Sequence, residues 1–204
     1  MEIEYWSKYY EKHTQPFAPS SFSRFALTYI NKGESLIDLG CGNGRDTIFF
    51  AENGVNTTGF DQCQIVIDEL NNRGHKNLKC VCGNFEGLHD GEHAVNHAYS
   101  RFTLHAVDAE TEKSILEWVS NNTSGYFFIE VRSDGDELVN KETDHFRRFL
   151  NFEKLLEKLV SYEFNICYAE KSKGFSVYDK KFDVEYNEAD PTLIRVVCKN
   201  KARI

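Results

Sequence analysis

Short apolar runs and longer amphipathic stretches alternate along most of this chain. Five apolar runs have the length and spacing of strands, and they lie near 35–39, 56–60, 78–82, 94–100 and 126–131. Helical periodicity fills three of the intervals, at about 45–51, 64–72 and 109–120. Strands that alternate with helices are typical of a mostly parallel sheet that is covered by helices on both faces. We therefore expect an α/β fold.

The pattern changes in the last third of the chain. A helical stretch near 152–159 precedes two apolar runs near 164–170 and 193–199, and no helical pattern separates these two runs. Neighbouring parallel strands need a long crossover that is usually helical, whereas antiparallel neighbours do not. We therefore predict that the last two strands pair with each other in antiparallel orientation.

The segment before the first strand is predicted to be helical, with a break at Pro16 and Pro19. Ser21 is the expected N-cap of its second helix. The many aromatic residues of this segment either pack it onto the sheet or form part of a lid over a ligand. The polar members that could contact a ligand are Tyr10, His13 and Ser21.

The composition is that of a globular protein, because 41% of the 204 residues are hydrophobic and 27% are charged. No apolar run approaches the roughly 20 residues that span a bilayer, and the N-terminus lacks the pattern of a signal peptide. We therefore expect a cytoplasmic protein without a membrane partner. The net charge of -8 disfavours nucleic acid as a partner, because polyanion binding depends on clustered Lys and Arg. We expect a small-molecule partner and a monomer or homodimer.

Neither the cysteines nor the histidines indicate a metal site. The six cysteines show no C-x-x-C spacing and are expected to be reduced. Cys80 and Cys82 share one face of a predicted strand, where we interpret them as small core side chains. His93 and His97 are four residues apart, but that spacing gives metal-binding geometry on a helix and not on a strand. We expect no bound metal.

The most informative segment begins at Leu36 and ends at Gly44, directly after an apolar strand and directly before a helix. Its last five residues are Gly40, Cys41, Gly42, Asn43 and Gly44. Residues without a Cβ atom allow a sharp turn from strand to helix and let a ligand lie against the main chain. A tight turn without a ligand is the alternative interpretation.

Asp61 lies where the second strand is expected to end. A carboxylate at that position could accept hydrogen bonds from both ribose hydroxyls of a nucleoside cofactor. A nicotinamide dinucleotide would use the same two features, but its fingerprint is G-x-G-x-x-G, and Gly44 arrives one position early. A nucleotide-dependent oxidoreductase and a non-catalytic binding module are the alternatives that stay open at this point.

The run from Leu36 to Gly44, together with Asp61, resembles the class I S-adenosylmethionine-dependent methyltransferases of the compact, small-molecule type. The resemblance covers most of the chain and implies a Rossmann-like α/β fold. This fold has a seven-stranded, mostly parallel sheet with helices on both faces and an antiparallel C-terminal strand pair. The implied cofactor is S-adenosyl-L-methionine. We expect one methyltransferase domain over 1–204, with an N-terminal helical lid (1–33), a cofactor-binding half (34–131) and a substrate-side half with the C-terminal hairpin (132–204).

The resemblance also assigns residues to parts of the cofactor. Asp38 would lie near the amino acid portion of the cofactor, and Asp61 would lie at the ribose. Asn84 and Phe85 would contact adenine, although many members of the family have Asp at the first of these positions. Ser100 would flank the methionine portion. The expected cofactor-binding set is Asp38, Gly40, Cys41, Gly42, Asn43, Gly44, Asp61, Gln62, Asn84, Phe85 and Ser100.

Methyl transfer in this family is a direct displacement, which depends on an aligned nucleophile and on the exclusion of water. His105 either takes a proton from a hydroxyl acceptor or makes only a structural hydrogen bond. Arg101 and Arg132, at the ends of the fourth and fifth strands, are candidates for orienting the acceptor.

Convergent arginines indicate a carboxylate or phosphate on the acceptor, and ion pairs within the protein are the alternative interpretation. We expect a small anionic acceptor, with a carboxylate, a phosphate or a linked sugar, that is methylated at oxygen. The expected substrate-binding set is Tyr10, His13, Ser21, Arg45, Arg101, Arg132, His145 and Arg148.

Overall fold

The computed structural model describes residues 3–13, 15–16, 18–90, 94–135, 146–175 and 191–201. Within these ranges the strands are β1 (Ser35–Leu39), β2 (Asn56–Asp61), β3 (Leu78–Cys82), β4 (His97–Arg101), β5 (Tyr126–Arg132), β6 (Phe164–Ser172) and β7 (Leu193–Asn200). The α-helices are α1 (Ile3–Lys12), α2 (Ser21–Leu27), α3 (Arg45–Glu52), α4 (Gln64–Asn72), α5 (Ala109–Asn122) and α6 (Phe152–Ser161), and a 3-10 helix spans Phe85–Asp90.

The seven strands form one sheet in the order β3-β2-β1-β4-β5-β7-β6. The pairs among β1 to β5 are parallel, whereas β7 is antiparallel to both β5 and β6. The predicted fold class is therefore confirmed. Because the strand order reverses between β1 and β4, the crevice beyond their carboxyl ends is where open α/β sheets bind ligands.

The strands bury side chains on both faces of the sheet. On one face, Leu36, Tyr99 and Phe128 are covered by α2 and α3. On the other face, Ile37 and Phe127 are covered by α5 and α6. Burial of apolar surface contributes roughly 25 cal/mol per Å² and is the main favourable term in folding. This packing holds the carboxyl ends of the strands in fixed positions, where a site can be built.

Three details differ from the sequence expectations. The N-cap of α2 is Ser20 and not Ser21, because the Ser20 hydroxyl accepts the Ser23 N–H at 3.0 Å. The fourth strand begins at His97, whereas the apolar pattern placed its start at residue 94. The 3-10 helix at Phe85–Asp90 was not predicted, since six residues are too few to show a helical period.

His97 lies at the opposite, amino-terminal edge of the parallel sheet. Its Nδ1 accepts the Tyr126 N–H at 3.0 Å, and its Nε2 lies 3.1 Å from Glu34 Oε2. Burial lowers the pKa of this imidazole, against the opposing effect of Glu34. Both ring nitrogens therefore have structural partners, which agrees with the interpretation that His97 is not a metal ligand. His93 lies outside the described residues.

The cysteines are free thiols, with Cys80 buried and Cys82 half-buried. No group of three or more metal-binding side chains occurs among the residues that the structure describes. In the same parts of the chain, no helix is both long enough and apolar enough to cross a bilayer.

Candidate functional site

The corner between β1 and α3 is shaped by three glycines with positive φ angles: Gly40 at 83°, Gly42 at 51° and Gly44 at 83°. The Gly40 and Cys41 N–H groups both donate to the Phe60 carbonyl, at 2.8 and 3.1 Å, and so attach the corner to β2. A Cβ atom at Gly40 would collide with the Thr103 side chain. Glycine is therefore favoured in this turn for two reasons, the positive φ angles and the lack of room for a Cβ atom.

Asp61 ends β2 beside this corner, with 8% of its surface exposed. Its Oδ2 accepts the Gly42 N–H at 3.0 Å, and its Oδ1 accepts the Cys63 N–H at 2.9 Å. Burial raises the pKa of Asp61, although these amide hydrogen bonds act in the opposite direction. A carboxylate has about four lone-pair sites, so both oxygens can still accept from ligand hydroxyls.

Asp38 lies on β1, one residue before the strand ends, and it is buried. The Thr47 hydroxyl donates to its Oδ2 at 2.6 Å. Burial raises the pKa of Asp38 to about 8, and the nearby carboxyls of Asp46 and Asp61 act in the same direction. A ligand cation beside Asp38 would favour the ionised carboxylate, because opposite charge stabilises it.

Asp46, in the first turn of α3, anchors the N-terminal segment to the corner. It accepts the Ser20 N–H and the Ser20 hydroxyl, each at 2.8 Å, and the Tyr99 hydroxyl, also at 2.8 Å. Burial would raise the pKa of Asp46, but the charge of Arg101 and the hydrogen bonds from Ser20 outweigh it, and the pKa is lowered. Asp46 is therefore an ionised, buried carboxylate that the sequence analysis did not single out.

The N-terminal segment lies directly over the glycine corner. The Asn43 side chain donates to the His13 and Gln15 carbonyls at 3.1 and 3.2 Å, and Arg45 Nε donates to the Ala18 carbonyl at 2.7 Å. The Tyr10 hydroxyl occupies the space that a Cβ atom at Gly42 would need. This geometry supports the lid interpretation.

Tyr10 and His13 come close to the corner in different ways. Burial and the nearby charge of Asp61 raise the pKa of Tyr10 well above its usual value, so the phenol stays protonated. His13 Nδ1 lies 2.9 Å from the Tyr9 carbonyl, and its ring stacks on the Tyr9 ring at a centroid distance of 4.3 Å. Tyr10 is therefore the better placed of these two candidates to contact a ligand at Gly42.

The remaining candidates for cofactor contacts are distributed along the same edge of the sheet. Ser100 is buried in β4, and its hydroxyl has no hydrogen-bond partner among the described residues. Asn84 is exposed, and its Oδ1 accepts the Gly87 N–H at 2.8 Å at the start of the 3-10 helix. Phe85 is buried against Phe60. Gln62 follows Asp61 and is half-buried.

The carboxyl edge of the sheet near β4, β5 and β7 contains two arginines that share one buried carboxylate. Glu130, 1% exposed, accepts Arg101 Nε at 2.8 Å and Arg195 Nε at 2.5 Å. The guanidinium carbon of Arg101 lies 4.2 Å from the Phe102 ring centroid, and that of Arg132 lies 5.8 Å from it. We call Arg132, Arg101 and Arg195 the arginine row.

Phe102 has a φ angle of 62°, which is rare for a residue other than glycine. Its N–H donates to the Glu130 carbonyl at 2.8 Å. Strained backbone of this kind is concentrated at functional sites. In this conformation the Phe102 ring lies near the guanidinium groups of Arg101 and Arg132.

His105 is buried, and its Nδ1 accepts the backbone N–H of Arg132 at 3.2 Å. The lone pair of Nδ1 is thus engaged, and in the neutral ring the proton lies on Nε2. His105 would have to give up this hydrogen bond before Nδ1 could take a proton from an acceptor. The geometry favours the structural interpretation of His105 over the role of a base.

Arg148 is committed to an ion pair away from the row. It donates to buried Glu112 at 2.9 Å and to the Leu104 carbonyl at 2.7 Å, and Lys158 also pairs with Glu112 at 2.9 Å. This arrangement supports the alternative interpretation of ion pairing within the protein. His145 lies outside the described residues.

Ser21, by contrast, contacts Arg195 of the arginine row. Its hydroxyl accepts Arg195 Nη2 at 2.7 Å and donates to the Phe175 carbonyl at 2.8 Å. Sequence reasoning named Ser21 but missed Arg195, which lies within the apolar run of β7. Its position opposite Glu130 becomes visible only once β7 is known to pair with β5.

Comparisons with known proteins agree with this geometry. Residues 36–122, which include the glycine corner, β2 to β4 and α5, match a family described as a methyltransferase domain. No curated protein matches the chain in sequence.

Several solved structures share the fold. Burkholderia thailandensis 1,6-didemethyltoxoflavin-N1-methyltransferase, solved with 1,6-didemethyltoxoflavin and S-adenosylhomocysteine, matches with a TM-score of 0.68 at 20% identity, over 87% of this chain and 76% of that one. A methyltransferase from Methanosarcina mazei matches with a TM-score of 0.68 at 16% identity, over 86% and 96% of the two chains. The [4+2]-cyclase SpnF matches with a TM-score of 0.67 at 16% identity, over 87% and 79%.

Proposed function

We propose that this chain is a class I S-adenosylmethionine-dependent methyltransferase and that it transfers the methyl group of S-adenosylmethionine to oxygen on a small anionic acceptor. The observation that carries the proposal is the glycine corner of β1 hydrogen-bonded to Asp61 at the end of β2. The pair combines a glycine-rich turn from strand to helix with a buried carboxylate, as a nucleoside cofactor requires. The alternative of a nucleotide-dependent oxidoreductase finds no comparable support.

The residues of the corner fit the proposed cofactor. Asp61 would accept the ribose hydroxyls, Asp38 would lie near the cationic amino group, and Phe85 and Gln62 would border the adenine. The unpartnered hydroxyl of buried Ser100 supports a polar ligand nearby, since a buried hydroxyl without a hydrogen bond costs free energy. The chemistry that the cofactor supplies when bound is a methyl group activated on a sulfonium.

The protein's own contribution would be to orient the acceptor and to exclude water. Orientation alone can supply several kcal/mol of the barrier to a displacement. Arg101 and Arg132 would hold an anionic group of the acceptor, and the N-terminal segment with Tyr10 would close over the corner. Because His105 Nδ1 already accepts a hydrogen bond, we propose that His105 positions the Arg132 backbone and that no dedicated base acts.

The cofactor assignment can be tested by calorimetry with S-adenosylmethionine, S-adenosylhomocysteine and NAD. We expect the first two to bind and NAD not to bind. Asp61→Asn should weaken S-adenosylhomocysteine binding by about tenfold or more, because a neutral amide is a weaker acceptor than a carboxylate. Asp68→Asn is the matched control, since Asp68 is exposed on α4 and accepts a hydrogen bond from Gln64 at 2.7 Å. Binding of NAD alone would contradict the proposal.

The acceptor assignment can be tested by methyl transfer from labelled S-adenosylmethionine to paired small molecules. Each pair should contain a hydroxylated carboxylate or phosphate and its neutral amide or ester. We expect label only in the anionic members, and we expect it on oxygen by mass spectrometry. Equal labelling of the neutral members would refute the anionic acceptor. Binding of the cofactor without labelling of any compound would instead favour a non-catalytic module.

A further inference from the structure

Arg195 is a buried charged residue on β7, the strand next to one edge of the sheet, and the proposed cofactor site does not account for it. It is 7% exposed and lies on β7 between Glu130 of β5 and Glu170 of β6. Because β7 is antiparallel to β5, Arg195 lies toward the carboxyl edge of the sheet, as Arg101 and Arg132 do. The row thus combines guanidinium groups from three different strands.

The Arg195 guanidinium is held in one orientation by its surroundings. Its Nε donates to Glu130, and its Nη2 donates to Ser21. Its two faces meet aromatic rings, with the guanidinium carbon 5.1 Å from the Phe22 centroid and 4.0 Å from the Phe175 centroid. Within the described part of the chain, Nη1 carries no hydrogen bond or ion pair. Nη1 is therefore the nitrogen of this guanidinium that still has N–H groups to donate to an anion.

The charges around Arg195 are compatible with a bound anion. Among the described residues, Glu130 is the carboxylate that contacts Arg195. The neighbouring carboxylates have other donors, because Asp46 accepts from Ser20 and Tyr99, and Glu170 accepts from Tyr168. Arg195 thus keeps donor capacity at Nη1, and a guanidinium edge is well suited to carboxylate or phosphate oxygens.

We propose that Arg195 is a specificity-determining residue that binds a carboxylate or phosphate of the acceptor through its Nη1 edge, with Glu130 as the residue that positions it. The inference rests on the proposed function for the identity of the anion as part of a methyl acceptor. The anion subsite itself is defined by Arg195, Arg101 and Ser21. Glu130 acts through the two guanidinium groups and does not touch the acceptor.

The test uses inorganic phosphate and benzoate as probes, with benzamide as the neutral match for benzoate. Each probe is titrated into the full chain, with and without S-adenosylhomocysteine, and the Nε–H resonances of the arginines are followed by NMR. We expect saturable binding of an anion that shifts the Arg195 and Arg101 signals. Benzamide should cause no such shift. Binding of benzoate alone would identify a carboxylate, whereas binding of phosphate alone would identify a phosphoryl group.

Arg195→Lys keeps a positive charge beside Glu130 but removes the guanidinium edge. We expect it to fold, to bind S-adenosylhomocysteine as the wild type does, and to bind the anion about tenfold or more weakly. Arg73→Lys is the matched control, because Arg73 pairs with Glu69 at 2.7 Å on the surface of α4. It should leave anion binding unchanged.

Two results would overturn the inference: anion affinity that is unchanged in Arg195→Lys, or no saturable binding of either anion by the wild type. Failure of the wild type to bind S-adenosylhomocysteine would contradict the proposed function instead. The two failures are distinguishable, because the anion titrations are also carried out without S-adenosylhomocysteine.

Discussion

The glycine corner and the arginine row lie at the same edge of the sheet but are built by different physical means. The corner depends on backbone: positive φ angles, a lack of Cβ atoms and amide hydrogen bonds to Asp61. The row depends on side chains, since three guanidinium groups are fixed by Glu130 and by aromatic rings. We therefore expect mutations in the two regions to act differently. Substitutions in the corner should change its backbone shape, whereas substitutions in the row should change its balance of charge.

The largest effect should come from removal of the Glu130 charge, which Arg101 and Arg195 share. Glu130→Gln removes the carboxylate that buried Arg195 and half-buried Arg101 share, and it should lower the free energy of unfolding by about 3–5 kcal/mol. Urea denaturation measures this change. Glu117→Gln is the control, because the Glu117 side chain is 42% exposed on α5 and its Oε1 lies 3.9 Å from Lys113 Nζ. A similar, small loss in both variants would show that the row is not held together by charge.

The next largest effect should come from the corner. Gly42→Ala introduces a Cβ at a φ angle of 51° and against the Tyr10 hydroxyl, so the corner must move away from Asp61. We expect S-adenosylhomocysteine affinity to fall by a factor of about 30–150, which corresponds to about 2–3 kcal/mol. Calorimetry measures the affinity.

Gly74→Ala separates backbone strain from collision at the corner. Gly74 has a φ angle of 64°, but a Cβ atom there would meet nothing within 4 Å. This variant should lose stability without losing cofactor affinity. If both glycine variants lowered the affinity equally, collision with Tyr10 could not be the reason.

A smaller effect should appear in the pH dependence of cofactor binding. In the free protein the pKa of Asp38 is raised to about 8, so the carboxyl is mostly protonated below that pH. The cationic amino group of the cofactor would favour the ionised form, and binding would release a proton. Affinity should therefore rise with pH between about 6 and 7.5, by less than about tenfold per unit, while the cofactor's amino group keeps its own proton.

Calorimetry in buffers of different ionisation enthalpy measures the proton release directly. Asp38→Asn should bind more weakly and should abolish the release. Proton release that persisted in Asp38→Asn would assign the titration to another group, such as Asp61.

The smallest effect should come from His97, at the edge of the sheet opposite to both regions. Burial lowers its folded pKa, so the neutral ring is favoured by folding. This contribution to stability is present above the unfolded pKa of about 6.5 and is lost as the pH falls below it. Thermal unfolding between pH 7 and 5 should show less acid sensitivity in His97→Gln than in the wild type. Cofactor affinity at neutral pH should be unchanged in this variant.

The same contrast explains how much could be predicted from the sequence. The corner is contiguous, and its function depends on residue types with special backbone properties, so the run from Gly40 to Gly44 indicated both a turn and a ligand. The position of Asp61 at the expected end of a strand likewise indicated a carboxylate beside the ligand. Motifs of this kind can be recognised in the sequence because their residues are neighbours in the chain.

The acceptor side could be predicted only in part, because its residues come from distant parts of the chain. Arg195 pairs with Glu130 only because β7 inserts between β5 and β6, and a local pattern does not encode that strand order. Arg148 carries the same charge as the arginine row, yet it turns toward Glu112 of α5. Charge alone therefore could not separate a ligand-binding arginine from one that holds two elements together.

The two serines at the start of α2 connect these halves. Ser20 bonds to Asp46 on the cofactor side, and its chain neighbour Ser21 bonds to Arg195 on the acceptor side. A ligand that displaced one serine would also disturb the other, because a single peptide unit joins them. Each ligand would then alter the affinity of its companion by the same factor, since such linkage is reciprocal.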